Sequence, residues 1–327
     1  MKVLTLIKQV IFLGVVLFIS SCKTTELKGV YATLERSVCQ QLPDYQYDES
    51  ELPQSFSEKP ISTILSDIFS EESLRIMRAI QVEDEIEAFV LGVQDSAVNI
   101  EQQLNLLMQM ESIQWKLQQA SLEVSATAAE IDCEEERAEQ IAGYLLNSQS
   151  SRETRLTVAA ISIGAVGALS AVAFLSAGNE LAAEWIGITT ALSEVVLAGF
   201  IFFQKTNVMF YHQRNHLAEM WNGNKTSSLF PPSVWYYLNG GSSISREGLT
   251  LREELVARWK RFNRFDKETN QQEIALYFGD GGKYAAEQLS NRSNLLDQVE
   301  SFVALMKQDL SVLMSELNAL RESLNDK

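Results

Sequence analysis

The sequence predicts an all-α protein: an elongated helical bundle with antiparallel coiled-coil pairing and a central apolar helical hairpin. Only 5 prolines and 16 glycines occur among 327 residues, and a low content of both favours long helices. Runs in which apolar and polar residues alternate, the pattern of half-buried strands, are nearly absent. Long stretches instead repeat apolar residues at spacings of three and four, the period of one helix face.

The first 22 residues predict export followed by lipidation. Lys2 and Lys8 accompany an apolar run over residues 7–19, an order typical of a secretory signal peptide. The sequence Ile19-Ser20-Ser21-Cys22 resembles the lipobox of bacterial lipoproteins, in which the cysteine is lipidated and becomes the first mature residue. The resemblance implies a signal peptide over 1–21, membrane lipid as the partner of acylated Cys22, and a place in the bacterial cell envelope facing the periplasm or exterior. A transmembrane anchor that ends in a cysteine is the alternative, and the choice between inner and outer membrane stays open.

The charge balance excludes one class of partner. The formal net charge is −16, and removal of Lys2 and Lys8 with the signal peptide makes it more negative still. Proteins that bind nucleic acid need a positive face toward the phosphates. The sequence therefore predicts no nucleic-acid partner.

Two cysteines remain once Cys22 carries lipid, and they predict a disulfide. Cys39 and Cys133 would meet an oxidising compartment after export. Closing a loop of that length stabilises by roughly 4–5 kcal/mol on the chain-entropy model. The alternative is a pair of buried free thiols.

Composition and spacing divide the chain into six parts. They are a signal peptide over 1–21, the lipidated cysteine with a tether over 22–60, a long helical and coiled-coil region over 61–150, an apolar helical hairpin over 151–204, a helix with an aromatic loop and a basic helix over 205–265, and a turn with a C-terminal coiled-coil helix over 266–327. We expect the helix after the hairpin to run through residues 210–221, and a turn over 278–283 to precede the last helix.

Two seams of apolar residues predict coiled-coil helices. The first comprises Ile86, Val90, Val93, Ala97, Ile100, Leu104 and Leu107 and, after a slip near Met110, Leu117, Ala120, Val124, Ala128 and Ile131. The second comprises Leu296, Val299, Val303, Met306, Leu310, Leu313, Leu317, Leu320 and Leu324. We expect the two to pair antiparallel within the chain. The alternative is self-association, or recruitment of a protein partner, through the 296–324 seam.

The central segment predicts a helical hairpin. Residues 156–178 carry no charge, residues 185–203 form a second apolar run, and Gly178-Asn179 between them suits a helix stop followed by an N-cap. Ala160, Gly164 and Ala168 recur every four residues with Gly167 and Ala171 beside them, a small-residue pattern that lets helix backbones approach closely. Glu194 lies in the middle of the second run, where an acidic group costs roughly 2.5–3.5 kcal/mol on insertion scales.

Three interpretations of residues 156–203 stay open. The hairpin is a permanent transmembrane pair, or it is buried in a water-soluble bundle, or it is buried first and inserts later. The last arrangement is similar to that of the α-helical pore-forming toxins, in which long helices flank an apolar hairpin. The likeness is one of architecture, and it rests on no shared motif residue.

The sequence predicts neither an enzyme nor a cofactor. It contains no GxSxG nucleophile motif and no phosphate-binding loop. His212 and His216, the only histidines, are four residues apart, and with Glu219 they are weak candidates for metal ligands on one helix face. We predict no metal site. The favoured function is a non-enzymatic, lipid-anchored envelope protein that acts as a structural or interaction scaffold. The alternative is a membrane-permeabilising protein whose hairpin over 156–203 enters a bilayer.

Overall fold

The computed structural model describes residues 39, 41–94, 100–203, 207–240, 248–263, 265 and 271–325. All of them belong to one compact unit, Cys39–Lys327. The predicted signal peptide, the lipidated Cys22 and the first part of the tether lie outside the described residues.

Ten helices and two short strands make up the described chain, which confirms the all-α class. The helices are α1 (Thr63–Ile68), α2 (Glu71–Ala79), α3 (Glu83–Gln94), α4 (Ile100–Ser176), α5 (Glu180–Phe203), α6 (His216–Asn222), α7 (Pro232–Asn239), α8 (Leu251–Phe262), α9 (Gln271–Phe278) and α10 (Ala286–Asn325). The strands are β1 (Asn207–Tyr211) and β2 (Gly281–Ala285), and a 3-10 turn covers Glu49–Glu51.

Helix α4 is the longest element, with 77 residues and no proline. At 1.5 Å per residue it rises by about 115 Å. Its first half buries one stripe at strict three-four spacing, as a helix does when it packs along a partner helix. That stripe comprises Met110, Ile113, Leu117, Ala120, Val124, Thr127, Ile131, Glu134, Ala138, Ile141 and Leu145. The same helix then continues into the apolar hairpin.

The C-terminal helix α10 packs antiparallel along α4, as its seam predicted. Ser290 Oγ near the start of α10 donates to Glu139 Oε2 at 3.0 Å, and the carboxylates of Glu300 and Asp132 meet further along. The seam side chains that the structure buries are Leu296, Val299, Val303, Met306, Leu310, Leu313 and Leu317. From Leu296 to Leu317 the seam is therefore covered by the chain itself.

The first predicted seam is wrong between residues 100 and 107 but is confirmed from residue 117 on, where Leu117, Ala120, Val124 and Ile131 are buried. Ala97 lies outside the described residues. Ile86, Val90 and Val93 are buried, but Ile100 is 86% exposed, and Leu104 and Leu107 are exposed as well. Helix α3 ends at Gln94, and α4 runs back beside it, since Lys116 Nζ reaches Glu85 Oε1 at 2.7 Å. The three-four spacing persists across this reversal by coincidence. Periodicity shows which residues share a helix face, but it does not show where the chain turns back.

A two-stranded antiparallel sheet replaces part of the helix predicted over 210–221. Strand β1 pairs with β2, with Phe210 opposite Gly282 and Tyr211 opposite Gly281. Val208 and Phe210 are buried while Met209 and Tyr211 are exposed, which is the alternation of a half-buried strand. The predicted turn over 278–283 is likewise partly strand. Gly281 has φ +92°, and a Cβ there would strike the Phe210 backbone, so only glycine fits.

The disulfide predicted from the sequence is present: Cys39 and Cys133 are bonded, with their Cα atoms 5.7 Å apart. The bond attaches the first described residue to the middle of α4. Next to it, Arg214 Nε donates to Glu130 Oε1 at 2.5 Å, and the same carboxylate accepts from the Leu42 backbone N–H. Covalent and polar contacts together fix the N-terminal segment against α4.

Most of the predicted aromatic and basic segments serve internal packing. Trp235 and Tyr237 of α7 are buried, and Trp235 Nε1 donates to the Asn224 carbonyl at 3.1 Å. On the basic helix α8, Arg258 lies over the Phe302 ring and Lys260 over the Trp221 ring. These contacts supply partners within the chain for residues that also suit a membrane surface.

Candidate functional site: an apolar helical hairpin

The second half of α4 and helix α5 form the predicted hairpin, joined by a tight turn. Gly178 adopts φ +74°, the left-handed conformation that ends many helices. The Asn179 N–H donates back to the Phe174 carbonyl at 2.9 Å, and the Asn179 side chain accepts from the Ala182 N–H at 3.3 Å. The turn therefore caps both helices with its own groups, and the helix stop and N-cap predicted at Gly178-Asn179 are confirmed.

Two glycines of α4 let the helices of the hairpin approach closely. A methyl group placed on Gly164 would collide with Oε1 of Glu194 on α5. A methyl group on Gly167 would collide with Oγ1 of Thr190. The structure thus brings together three predicted residues, Gly164, Gly167 and Glu194. It adds Thr190, which sequence reasoning missed although it lies one turn before Glu194.

Ala168 is not part of this contact, contrary to the four-residue pattern in the sequence. It is exposed, and the half-buried stripe on α4 contains Ala160, Gly164, Gly167 and Ala171 instead. Eight residues rotate a helix by about 80° beyond two full turns, so Ala168 has left the face on which Ala160 lies. The observed spacing of four, three and four keeps the stripe on one side of the helix.

Twelve large apolar side chains of the hairpin face outward. Each is more than half exposed: Val158, Ile161, Val166, Leu169, Val172 and Leu175 on α4, and Leu181, Trp185, Ile188, Leu192, Val195 and Val196 on α5. Both helices are long and apolar enough to cross a membrane, by length and composition only, and 6% of each apolar window is buried. The structure thus contradicts the interpretation in which the hairpin is buried in a bundle.

The hydroxyl groups of the hairpin bond to their own helices. Ser162 Oγ donates to the Val158 carbonyl and Ser170 Oγ to the Val166 carbonyl, both at 2.7 Å. Thr190 Oγ1 donates to the Ile186 carbonyl at 2.8 Å. A hydroxyl bonded to the carbonyl four residues before it needs no water. The serines and threonine that dilute the apolar sequence are therefore satisfied within the hairpin.

Glu194 is the polar group of the hairpin for which the sequence supplies no counter-ion. Residues 156–203 contain no lysine, arginine or histidine. The Glu194 side chain is exposed at the edge of the α4–α5 groove, with Oε1 beside Gly164. An ionisable side chain at such a depth in an apolar segment usually has a functional role.

The weak metal candidates do not form a site on one helix face. His212 follows β1, and its Nδ1 donates to the Gly279 carbonyl at 2.9 Å. His216 is the first residue of α6, and its buried ring lies edge-on to Phe230, 5.3 Å between ring centres. Burial lowers the pKa of His216 to about 3, so the ring is neutral at any ordinary pH. A spacing of four residues would place the two histidines on one face only if they lay on a continuous helix. Here β1 ends at Tyr211 and α6 begins at His216, so the residues between them are not helical.

A different acidic cluster lies between α4 and α10. Carboxylate oxygens of Asp132, Glu135 and Glu300 are within 4.8 Å of one another. Burial and the charges of Asp297, Glu300 and Asp132 raise the pKa of Glu135 to about 7. Charged residues on a helix face, such as Asp132 and Glu135, are by default expected in contact with water. Their closeness to α10 follows from the pairing of two acidic helices, which a search along one helix cannot detect.

Comparisons with protein-family models, curated proteins and solved structures find no match to this chain. The hairpin is therefore interpreted from its geometry alone: glycines and short polar side chains inside, large apolar side chains outside. That distribution is the reverse of a water-soluble helix pair and is typical of helices that pack in lipid.

Proposed function

We propose that the protein is a non-enzymatic, lipid-anchored envelope protein that holds a disulfide-bonded helical bundle at a bacterial membrane as a structural or interaction scaffold. In this proposal the α4–α5 hairpin spans the bilayer. The observation that carries it is the outward exposure of the large apolar side chains of the hairpin while its two helices meet through glycines. Burying one such side chain contributes about 1.5–3 kcal/mol, so lipid stabilises this surface strongly.

The dimensions of the hairpin support this proposal. Between residues 156 and 176, α4 rises by about 30 Å, and the 24 residues of α5 rise by about 36 Å. The hydrocarbon core of a bilayer is about 30 Å thick. Arg152 and Arg155 precede the apolar part of α4 at the depth where long basic side chains reach the interface.

The continuity of α4 gives the scaffold a rigid attachment. The last residue of its buried stripe is Leu145, and the uncharged stretch begins at Leu156. One helix therefore connects the packed bundle to the hairpin, with no break in between. A partner that binds the bundle is then held at a fixed height above the membrane.

The disulfide supports an extracytoplasmic location for the bundle. Cys39 and Cys133 lie on the same side of the hairpin, and disulfides persist in oxidising compartments such as the periplasm. With the bundle outside, the turn around Asn179 is the part that reaches the far side. That turn is acidic and contains no lysine or arginine, contrary to the positive-inside tendency of inner-membrane proteins.

The acidic turn and Glu194 favour a second candidate, a membrane-permeabilising protein whose hairpin enters a target bilayer from outside. A carboxylate at mid-depth opposes permanent residence in lipid and suits a segment that inserts on a trigger. Release of a fluorescent dye from liposomes by the purified mature protein distinguishes the candidates. We expect no release for a scaffold, whereas release that requires residues 156–203 would support the second candidate.

Alkaline extraction of membranes tests the favoured function. The Cys22→Ala variant, given a signal peptide that is cleaved without lipidation, is expressed and its membranes are washed at high pH. We expect it to stay in the pellet, since the hairpin alone holds it. A matched control replaces residues 156–203 with a short polar turn in the same background and is expected in the supernatant. Release of Cys22→Ala itself would overturn the spanning hairpin.

A further inference from the structure

The first third of α4 exposes a second apolar face that no described part of the chain covers. Six of its side chains are more than half exposed: Ile100, Leu104, Leu107, Met108, Trp115 and Leu122. Among them, Trp115 is 66% exposed, and such a large exposed fraction is unusual for a tryptophan. Exposed apolar groups that cluster in this way mark interaction surfaces.

The centre of this face has the spacing of a coiled coil. Met108, Trp115 and Leu122 recur every seven residues, and Leu104 precedes Met108 by four. Glu111 and Gln118 occupy the intervening positions of the same line. We name Leu104, Met108, Trp115 and Leu122 the distal seam. It lies opposite the buried stripe, so α4 presents one heptad line to its own bundle and another to solvent.

The scarcity of charge around the distal seam lets a second copy of this acidic chain approach it. Among the exposed residues of α4 from 100 to 122, only Glu101 and Glu111 are charged, and the other polar ones are glutamine, asparagine or serine. Further along α4, exposed Asp132, Glu136 and Glu139 continue the acidic surface. Two copies of a chain with net charge −16 repel each other over most of their surfaces. At the distal seam that repulsion is reduced, because Glu111 is the one charged residue on the line itself.

We propose that the distal seam pairs two copies of this chain as a parallel coiled coil above one membrane. The proposal rests on the proposed function, because hairpins in one bilayer make the two α4 helices run in the same direction. A heptad line then meets itself in register, with Met108, Trp115 and Leu122 each opposite its own copy. Confinement to a membrane raises the effective concentration and lowers the affinity that the seam must supply.

The same geometry assigns a role to Glu111. In a parallel pair its carboxylate faces the Glu111 carboxylate of the partner copy between the Met108 and Trp115 layers. Like charges at that position weaken the pair. Glu111 therefore keeps the association reversible, and Glu111→Gln is expected to strengthen it.

A cysteine introduced into the seam tests the pairing in the full-length, lipidated protein. With Cys22 acylated and Cys39 bonded to Cys133, Gln118→Cys supplies a new thiol. Oxidation in native membranes is expected to give a cross-linked dimer of twice the chain mass. The matched control is Gln308→Cys, an exposed glutamine on α10 away from the seam, and it is expected to remain monomeric.

Two further variants distinguish pairing at the distal seam from non-specific cross-linking. In the Gln118→Cys background, Trp115→Lys is expected to abolish the dimer and Glu111→Gln to increase it, with unchanged circular dichroism. Equal cross-linking at 118 and 308, or cross-links at 118 only to other proteins, would overturn the pairing. The Gln118→Cys variants are also made in the Cys22→Ala background, cross-linked and extracted at high pH. Retention without a dimer refutes the seam alone, whereas release refutes the spanning hairpin.

Discussion

Gly164 on α4 and Glu194 on α5 are in contact, and the carboxylate of Glu194 occupies the space that any side chain at position 164 would need. A side chain at position 164 would therefore have to displace the Glu194 carboxylate from this place. The contact places the one mid-helix acid of the hairpin at the edge of the groove between the helices. It makes the hairpin a defined pair instead of two independent apolar segments.

Replacing Gly164 with leucine is expected to displace the Glu194 side chain and loosen the packing of the hairpin. Overpacking of a close contact costs about 1–3 kcal/mol, and here the obstacle lies on the facing helix. The control is Gly187→Leu, because nothing lies within 4 Å of a Cβ at that glycine on α5. Thermal unfolding of the helical signal in detergent compares the two variants. Equal melting temperatures would show that Gly164 does not matter for the packing of the hairpin.

Replacing Glu194 with leucine is expected to favour residence of the hairpin in lipid. Removal of an acidic group from the middle of a span lowers its insertion cost by roughly 3 kcal/mol. The alkali-resistant fraction of the Cys22→Ala protein should therefore rise. Glu184→Leu, close to the turn, is the matched control and should change it little, because charges near a helix end reach the interface. A larger gain in the alkali-resistant fraction from Glu184→Leu than from Glu194→Leu would contradict the position of Glu194 in the middle of the membrane span.

The bundle is expected to lose stability as the pH rises from about 4.5 to about 7. Asp132, Asp297 and Glu300 face Glu135, and burial together with these charges raises its pKa from 4.5 to about 7. The folded state then binds the proton more tightly than the unfolded state, so the stabilisation is complete below pH 4.5 and disappears above pH 7. Lys307, which acts on the neighbouring Glu300, offsets part of the repulsion.

Glu135→Gln is the variant that tests this dependence. It is expected to raise the free energy of unfolding at pH 8 by at most about 1 kcal/mol, because the site is partly open to water. At pH 4 it should have no effect. Urea unfolding at both values measures the difference, with Glu153→Gln on the same helix as the control. A gain at pH 4 equal to that at pH 8 would exclude the titration of Glu135 as its cause.

Removal of the disulfide is expected to destabilise the bundle. Cys39 and Cys133 enclose 94 residues of sequence separation, for which the chain-entropy model gives about 4–5 kcal/mol. Urea unfolding of Cys39→Ser in the Cys22→Ala background measures the loss. The parent variant with and without reductant is the control. A loss under about 1 kcal/mol would mean that the noncovalent contacts around Glu130 suffice to hold the N-terminal segment.

Loss of Asp309 is expected to be more destabilising than loss of another acid on α10. The Asp309 carboxylate pairs with the buried Arg75 of α2 and accepts from Tyr237 Oη at 2.8 Å. Asp309→Ala leaves the Arg75 charge buried without its carboxylate, a change that typically costs 3–5 kcal/mol. Asp297→Ala on the same helix removes a carboxylate that repels Glu135, so this change should be neutral or stabilising. Equal effects of the two in urea unfolding would contradict this assignment.

Features that depend on neighbours along the chain could be predicted from the sequence. The seam from Leu296 to Leu317 lies on one uninterrupted helix, so its spacing alone identified the buried face. The disulfide was predicted because Cys39 and Cys133 are the two cysteines that remain if Cys22 carries lipid. Gly178 and Asn179 were read correctly because a helix stop and an N-cap are local chemistry.

Features that depend on where the chain turns were not predicted. Leu104 continues the spacing of Val90 and Val93, yet it lies beyond a reversal and is exposed. Ala168 matches a spacing of four that drifts off the helix face. His212 and His216 would have shared a face only if the segment from 212 to 216 had been one continuous helix, and α6 begins at His216. A strand of five residues alternates too briefly to stand out in the sequence.

The sequence by itself determined the long helices, the apolar hairpin and the cysteine pair, because propensity, spacing and composition are properties of the local chain. The tertiary structure decided which of the two apolar lines of α4 is covered, that Glu194 lies over Gly164, and that Glu135 meets the acids of α10. Burial depends on which element lies opposite, and that is set by contacts between residues far apart in the chain. The same helix can therefore present Leu117 to a core and Trp115 to water.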